Sequence, residues 1–441
     1  MTCLWVATII YLIDKSFWKI KGEERIGFSD FNLSVLNMSM QRNEINSFDA
    51  IVIGAGPAGS TAAYLLASNG FKVLIIDKSS FPRDKLCAGL LTLKSIKLLE
   101  DIFSTSVDFL KSRRIITYQS FDYKVGSNTG ASIKGRLEYP FHFVHRKTYD
   151  HHWLKMAQAA GAEFKAGEKI VSLDFSRKQI TTENGRRFSG NFIFGADGAL
   201  SWTRRFLSAK GVIKSDWKSE PAATLEVFIP KSQFTGFPDY PAIYFGHIPW
   251  GYVWNFPGDQ HRILGIAALN LKAGKLLNDG FNTFLKSLYI SRQDIPTPKS
   301  HALPYGNYLT QPGYGNVLLL GDACGLADPL LGEGIYYAHK SAFLAAKAVM
   351  KSHSESRNVL KRYTRYLTRD IIAELKRIRL VRQIIFSLPG NWTYKILSSF
   401  LRTIPRLCEE TIQGKRSYRC FRPITFENKK RSGTTKVHSA S

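Results

Sequence analysis

Three separated groups of residues in this 441-residue chain could grip one ligand from several sides. The first is Gly54-Ala-Gly56-Pro57-Ala58-Gly59, which follows the apolar run Phe48-Asp-Ala-Ile-Val-Ile53 and opens an Ala- and Leu-rich stretch. A glycine turn between strand and helix lets a pyrophosphate approach the backbone, and the helix start offers it unpaired N–H groups and positive potential. Asp77 closes the next apolar run, where a carboxylate accepts ribose hydroxyls; Lys78 and Arg83 follow it. This much means a dinucleotide and does not separate FAD from NAD. Two later motifs make the distinction, Gly195-Ala-Asp197-Gly198 and Gly321-Asp322-Ala-Cys324-Gly325, each at the end of a strand-like run. Asp322 can accept a ribityl hydroxyl. The segment Pro329 to Ile335, with Gly332, Glu333 and Gly334, reads as a loop into a helix whose donors would stabilise negative charge on reduced flavin. Together the three groups predict FAD and a redox enzyme.

The elements that must position them make an α/β fold. Residues 48–77 read as a strand–helix–strand unit, with the helix over Ala58–Ser68, and its parallel strands imply a sheet covered on both faces. Tyr149–Gly161 reads as a further helix. The FAD-binding Rossmann-type domain is therefore expected in two pieces, 48–220 and 305–350. Between them, 221–304 changes to aromatic-rich strands (Thr224–Pro230, Ala242–His247, Gly251–Phe256, Arg262–Leu269), read as an inserted, mostly antiparallel sheet carrying the substrate surface. Tyr252, Trp254 and Phe256 alternate and so share one face of a strand. Aromatic side chains offer broad apolar area with little flexibility to freeze, although the same alternation would suit a plain core stripe. Residues 351–428 read as basic helices. There Leu360, Tyr363, Leu367, Ile371, Leu375, Ile378, Val381 and Ile385 recur at spacings of three or four, a stripe that suits either the protein core or a membrane surface.

Bulk properties narrow the partners. The formal net charge is +26, and Lys351–Ser441 holds 21 Lys+Arg against 6 Asp+Glu, which is +15. That favours an anionic partner. No zinc-finger spacing or RNA-binding signature accompanies the charge, so an anionic membrane surface is preferred to nucleic acid, and no metal site is expected. The five cysteines, Cys3, Cys87, Cys324, Cys408 and Cys420, are odd in number and scattered, which suits a reducing compartment and a cytoplasmic protein, peripheral on the inner membrane face. Cys3–Ile13 is apolar over 11 residues, about half the ~20 that a spanning helix needs. Residues 1–47 are expected to be a weakly structured extension, a surface anchor, or the product of a wrongly chosen start; 429–441 are expected to be disordered.

From about Ser47 to about residue 390 the chain resembles the geranylgeranyl reductase family, within the flavoproteins related to p-hydroxybenzoate hydroxylase. The resemblance is carried by Gly54–Gly59 and by Pro82-Arg-Asp-Lys-Leu-Cys87-Ala88-Gly89. It is also carried by Arg146 before Tyr149-Asp150-His-His-Trp-Leu154, by Gly195–Gly198 with Ser201 and Arg204, and by Gly321–Gly334. Most specific is Tyr252-Val-Trp254-Asn-Phe256-Pro257 with Gly265, similar to a substrate-cavity signature of reductases that saturate isoprenoid chains. Two positions depart: the loop reads Cys-Ala-Gly where the family has Cys-Gly-Gly, and Ala267 stands where a second glycine is expected. The resemblance implies FAD held in part by Cys87, Ala88, Gly89 and Arg146. It implies hydride transfer from flavin N5 to a double bond of a polyprenyl lipid or quinone, with NAD(P)H or ferredoxin as electron donor. Cys87 and Tyr252 are the candidate proton donors. The alternative on this scaffold is a flavin-dependent monooxygenase or halogenase acting on an apolar or aromatic substrate.

Overall fold

Parallel strands buried on both faces must be apolar along their buried length, and β1 (Asn46–Ile53) and β2 (Val73–Asp77) are so from Ala50 to Ile53 and from Val73 to Ile76: Ile51, Val52, Leu74 and Ile75 are inaccessible to solvent. Between them α1 (Pro57–Ala67) opens with proline in its first turn, where a missing N–H leaves no bond unmade. The strands pair in parallel from Ala50 opposite Val73 to Ile53 opposite Ile76. The computed structural model describes residues 46–214, 222–233, 237–269, 274–353, 358–388 and 392–418. The expectations for residues 1–45 and for 429–441 lie outside the described residues.

The chain continues through β3 (Leu90–Leu91), α2 (Leu93–Phe103), α3 (Val107–Ser112), the long hairpin β4 (Ile116–Ser127) and β5 (Ser132–Val144), and α4 (Arg146–Ala159). Then come β6 (Glu163–Ala166), β7 (Ile170–Asp174), β8 (Gln179–Thr182), β9 (Arg187–Gly195) and α5 (Trp202–Ala209). The next elements are β10 (Ala222–Pro230), β11 (Ala242–Phe245), β12 (Gly251–Pro257), β13 (His261–Leu269), α6 (Gly274–Ser287) and β14 (Lys299–Leu303). The chain returns through β15 (Gly313–Tyr314), β16 (Val317–Leu319) and α7 (Ile335–His353). It then runs through α8 (Val359–Leu367), a π turn over Thr368–Ile372, α9 (Ala373–Phe386), α10 (Trp392–Thr403) and α11 (Pro405–Ile412).

Two sheets result. The first runs β15-β16-β9-β1-β2-β6, with β7 and β8 continuing beside β9; its strands come from residues 46–195 and 313–319, on either side of the stretch that forms β10–β14. The second runs β14-β10-β13-β12-β11-β4-β5-β3 and is antiparallel except where β11 lies beside β4. It is not confined to 221–304: β3, β4 and β5, from residues 90–144 within the expected flavin segment, complete it. The outward face of that hairpin carries Lys124, Lys134 and Arg136, while Tyr123, Val125, Phe141 and Phe143 turn inward; register shifts between Ile116 and Tyr118 and between Ser120 and Asp122 break its strand period. On the back of the second sheet, Val227, Val253 and Leu264 pack against Leu277, Phe281 and Phe284 of α6. Its front, with Phe245, Tyr252, Trp254 and Ala267, joins the core of the first sheet and of α7–α10.

The C-terminal stripe turns inward. Tyr363, Leu367, Ile371, Leu375 and Ile378 are inaccessible and belong to that same core, and the Tyr363 hydroxyl donates to the Leu319 carbonyl at 2.9 Å. What α9 and α10 leave outside is a different set, Leu380, Ile384, Trp392 and Phe400, each more than half exposed. Leu375→Ala should therefore cost about 2–5 kcal/mol, and Leu380→Ala less than about 0.5 kcal/mol, in urea denaturation; equal costs would contradict this orientation of α9.

Candidate active site

Close backbone contact assembles the site. A Cβ on Gly54, which has φ +104°, would lie 2.4 Å from the Ala196 carbonyl oxygen, and one on Gly59 would lie 1.8 Å from the Gly54 oxygen. These glycines pack the end of β1 onto the end of β9 and onto α1. Gly56 is different. Its φ of −72° suits any residue, and a Cβ there would meet only Arg83 Nη2, at 3.6 Å. Among the described residues only Arg83 comes within 4 Å of a Cβ placed on Gly56, at a helix start whose N-cap has no side-chain bond. That is the cradle a pyrophosphate needs. Asp77 stands beside it: its Oδ2 accepts from Ala55 N at 2.8 Å and its Oδ1 from Ser79 N at 2.8 Å, leaving further lone pairs for ribose hydroxyls. Lys78 is exposed.

The third group reaches the same place. A Cβ on Gly321 would lie 3.3 Å from both Ala58 Cβ and Ala338 Cβ. The segments around residues 54, 77, 197 and 322 thus converge, as the three-motif reading requires. Their carboxylates take different tasks. Asp197 accepts from Ser201 Oγ at 2.5 Å and from Thr203 N and Oγ1 at 2.9 and 3.1 Å, so it organises the start of α5, with Gly198 left-handed beside it. Arg204, buried on α5, donates to the carbonyls of Asp322, Ala323 and Ala199 and fixes the turn carrying Asp322. Burial lowers its pKa to about 10, partly opposed by Asp197. Burial raises the Asp322 pKa, against the pull of Lys85, Arg146 and Arg204.

The loop before α7 is held rigidly. Asp328 Oδ1 accepts from Leu330 N and Leu331 N at 2.7 and 2.8 Å. Tyr305 donates to the Leu330 carbonyl, and Arg382 of α9 donates to the carbonyls of Tyr305 and Pro329. Glu333 pairs with Lys94 at 2.6 Å and accepts from Thr92 and Ser95. It therefore ties α2 to the loop. Gly332, with φ +72°, shapes the turn, and Gly334 lies against Asp322 just before buried Ile335 starts α7.

A charged cluster borders the converging motifs. Arg146 makes a bidentate pair with Asp150, at 2.8 and 2.9 Å, and Arg83 approaches Asp150 at 3.5 Å. Burial opposes the Arg146 charge, but Asp150 and Cys87 more than offset it, so its pKa is raised. Gly89 has φ +68° and packs on the Val144 carbonyl; Cys87 and Ala88 are half-buried beside it. Lys85 lies 2.6 Å from His301 Nε2, and burial lowers its pKa despite Asp322.

On β12, Tyr252 and Trp254 are buried and Phe256 is partly so, their rings 5.8 and 6.4 Å apart in succession. The Trp254 ring lies over Gly265, where a Cβ would come within 2.2 Å of it. Pro257 closes the strand opposite Arg262. Tyr252 donates its hydroxyl proton to the Leu331 carbonyl at 2.7 Å. Two residues of this face were missed from sequence, Glu226 and His301. A single acid inside the apolar run Leu225-Glu-Val-Phe-Ile229 was the available signal for Glu226.

Comparison with known proteins agrees with this fold. The profile of the FAD binding domain family matches residues 47–241. An uncharacterized protein of Methanosarcina barkeri is 32% identical over 75% of this chain and 82% of its own length. A tryptophan 2-halogenase of Chondromyces crocatus is 29% identical over 69% of this chain and 61% of its own. A digeranylgeranylglycerophospholipid reductase of Methanococcus aeolicus is 27% identical over 72% and 81%. In fold, the chain resembles a geranylgeranyl bacteriochlorophyll reductase-like protein of Thermoplasma acidophilum, with a TM-score of 0.68 and 20% identity, over 84% of this chain and all of the other. It also resembles a single-residue mutant of the halogenase PltM in complex with FAD, with a TM-score of 0.63 and 17% identity, over 85% and 88%.

The cradle, the convergent carboxylates and these matches define an FAD-dependent oxidoreductase. The chain belongs to the FAD-binding flavoproteins of the p-hydroxybenzoate hydroxylase type, in one family with the M. barkeri protein. Its relatives span reductases and halogenases at nearly equal identity, so membership does not select one of those activities.

Gly56→Ala and Gly59→Ala should separate cradle from scaffold. Gly56→Ala is expected to keep the melting temperature of the FAD-free protein and to weaken FAD by at least about tenfold, or ~1.4 kcal/mol. Gly59→Ala should lower the melting temperature itself. The reverse pattern in flavin titration and thermal unfolding would contradict the assignment.

Proposed function

We propose that this protein uses reduced FAD on an apolar organic substrate that lies against Tyr252, Trp254 and Phe256, and that the reaction is saturation of a carbon–carbon double bond in a polyprenyl lipid or quinone side chain. The supporting observation is the aromatic face itself. It is continuous across β12, clear of charged side chains along that strand, and set in the core shared with the Gly321–Ile335 loop. Bound FAD supplies a hydride at N5 when reduced. Gly54, Gly56, Gly59, Asp77 and Arg83 would hold its pyrophosphate and ribose, and Asp322 its ribityl chain. Cys87, Ala88, Gly89 and Arg146, and the backbone from Gly332 to Ile335, would line the ring. An isolated alkene is a poor hydride acceptor, so the aromatic face must fix the double bond and exclude water. Electrons would come from NAD(P)H or ferredoxin.

The second reading is a monooxygenase or halogenase, and its support among the relatives is the broader. The tryptophan 2-halogenase is as similar as the reductase, and halogenases and a monooxygenase recur among solved structures of this fold. Half-buried Lys85 near Asp322 gives that reading a physical basis, since a cation inside the site could orient an oxygen-derived reagent. One experiment separates the two. Purified protein should be yellow with the absorption spectrum of FAD. Reduced anaerobically and given geranylgeranyl lipid, it should yield chains heavier by two hydrogens per double bond. A product that forms only with oxygen, or with oxygen and halide, would transfer the assignment to the second reading, and a colourless protein that refuses FAD would end both.

A membrane surface as partner is the companion proposal. Among the described residues no helix is long and apolar enough to cross a membrane. The exposed sides of α9 and α10 combine Leu380, Ile384, Trp392 and Phe400 with Lys376, Lys395 and Arg402, the mixture that interfacial helices present to anionic lipid. The protein should sediment with anionic and not neutral vesicles. Replacing those four apolar residues with serine should release it without changing FAD binding.

A further inference from the structure

The site face of the second sheet carries a carboxyl group with no task so far. Glu226 lies in the middle of apolar β10 and is 7% exposed. It is directly opposite Gly265, and Gly265 is directly opposite Trp254. Opposed residues share a face of a sheet, so Glu226, Gly265 and Trp254 form one row on the Tyr252 side, while their neighbours Val227 and Val253 pack on α6. The missing side chain at Gly265 admits the Trp254 indole over the strand. Glu226 Oε2 and Trp254 Nε1 are both buried without a hydrogen-bond partner. A buried polar atom left unpaired is costly. Two such atoms on one row of the face assigned to substrate mark a place where something else completes the bonding.

The surrounding groups decide what Glu226 can do there. Lys85 from the loop after β2 and Arg146 from α4 act on it electrostatically, and it acts in turn on Tyr252 of β12. His301 of β14 is opposite Thr224, two residues along the same face, and Lys299 is opposite Glu226 itself. Burial raises the Glu226 pKa to about 7, against Lys85 and Arg146. Burial, helped by Lys85, lowers that of His301 to about 4. Near neutral pH His301 is therefore uncharged, and its Nε2 lies in hydrogen-bond contact with Lys85 Nζ. Tyr252 is no competitor as an acid: burial raises its pKa, and its proton is engaged by Leu331.

We propose that Glu226 holds a transferable proton at the substrate face and delivers it to the reacting carbon, with Lys85 and Arg146 stabilising the carboxylate that remains. The delivery step rests on the reductive reading above. There the alkene gains a hydride, with its electron pair, from the reduced cofactor. The Glu226 O–H bond breaks, and its proton forms the second C–H bond with the alkene π pair. The alkene is reduced by two electrons, the cofactor is oxidised by two, and bulk water reprotonates Glu226 between turnovers. The acid form predominates below a pH of about 7, is half-populated near it and is lost above it, so turnover should fall as pH rises through that value.

The test uses full-length FAD-loaded protein, wild type, Glu226→Gln and Glu226→Asp. In infrared difference spectra from about pH 5 to 9, wild type should show a protonated carboxyl band that disappears with a midpoint near 7, and E226Q should lack it. In anaerobic single turnovers of geranylgeranyl phospholipid in vesicles, E226Q should be slower by about 100-fold or more, with unchanged FAD content and no pH midpoint near 7, and E226D should recover part of the rate. Absence of the band from wild type, its persistence in E226Q, or a wild-type rate in E226Q would overturn the proposal. Should E226Q lose FAD, the wild-type and E226D infrared titrations decide, because Asp must move the band or its midpoint if residue 226 is its source. A wild-type protein with the titrating band that saturates no prenyl chain would refute the reductive reading and the delivery step, and leave the proton-holding group in place.

Discussion

Everything in the site depends on how closely three stretches of backbone meet at Gly54. With no Cβ there, the end of β1 can lie against the Ala196 carbonyl, and Gly59 lets α1 close onto the same turn. Separations this small exclude side chains altogether, so the constraint is steric and falls on the main chain. Once it is met, Asp77 can bond Ala55 N, Asp197 can organise α5, and Gly321 can reach α1. The shape of the glycine turn is thus a consequence of strand ends packed to backbone contact. At Gly56, by contrast, an added Cβ would meet only Arg83 among the described residues.

A second layer holds the polar groups in register. Buried Asp150 accepts from two guanidinium nitrogens of Arg146, Nε and Nη2, and lies near Arg83, so charges that would be costly singly are compensated together. Arg204 and Arg382, both almost wholly buried, spend their donors on carbonyl groups of the Asp322 turn and of the Tyr305–Pro329 region. They stiffen loops that would otherwise be irregular chain without regular hydrogen bonds. The C-terminal helices therefore belong to the site's support, since Arg382 reaches it from α9, and the basic character of that region says little about which arginines face water.

The division of labour across the second sheet has the same origin in strand geometry. Alternation sends Val227, Val253 and Leu264 to α6 and leaves Tyr252, Trp254, Glu226 and His301 on the opposite side. A glycine at 265 then gives the tryptophan its orientation. An aromatic wall with one orphaned carboxyl oxygen and one orphaned indole N–H is chemically specific even before a substrate is named, because it sets two unpartnered polar atoms in a largely apolar surface.

The glycine turn, Asp77, the two later glycine–acid motifs and the β1–α1–β2 unit were legible in the chain itself, because backbone sterics and the period of buried parallel strands leave strong local marks. The aromatic alternation of Tyr252, Trp254 and Phe256 was legible for the same reason. Tertiary structure alone decided that β3–β5 complete the second sheet, since register shifts between Ile116 and Tyr118 and between Ser120 and Asp122 interrupt the strand period of that hairpin. It alone decided that the stripe from Tyr363 to Ile378 faces the core, because an amphipathic helix carries no label for what its apolar side meets. It also decided that Glu226 and His301 share a face with Trp254, residues distant in sequence that only strand pairing brings into one row. Local order follows from each residue's own conformational limits, whereas partners across a sheet are chosen by packing of the whole chain.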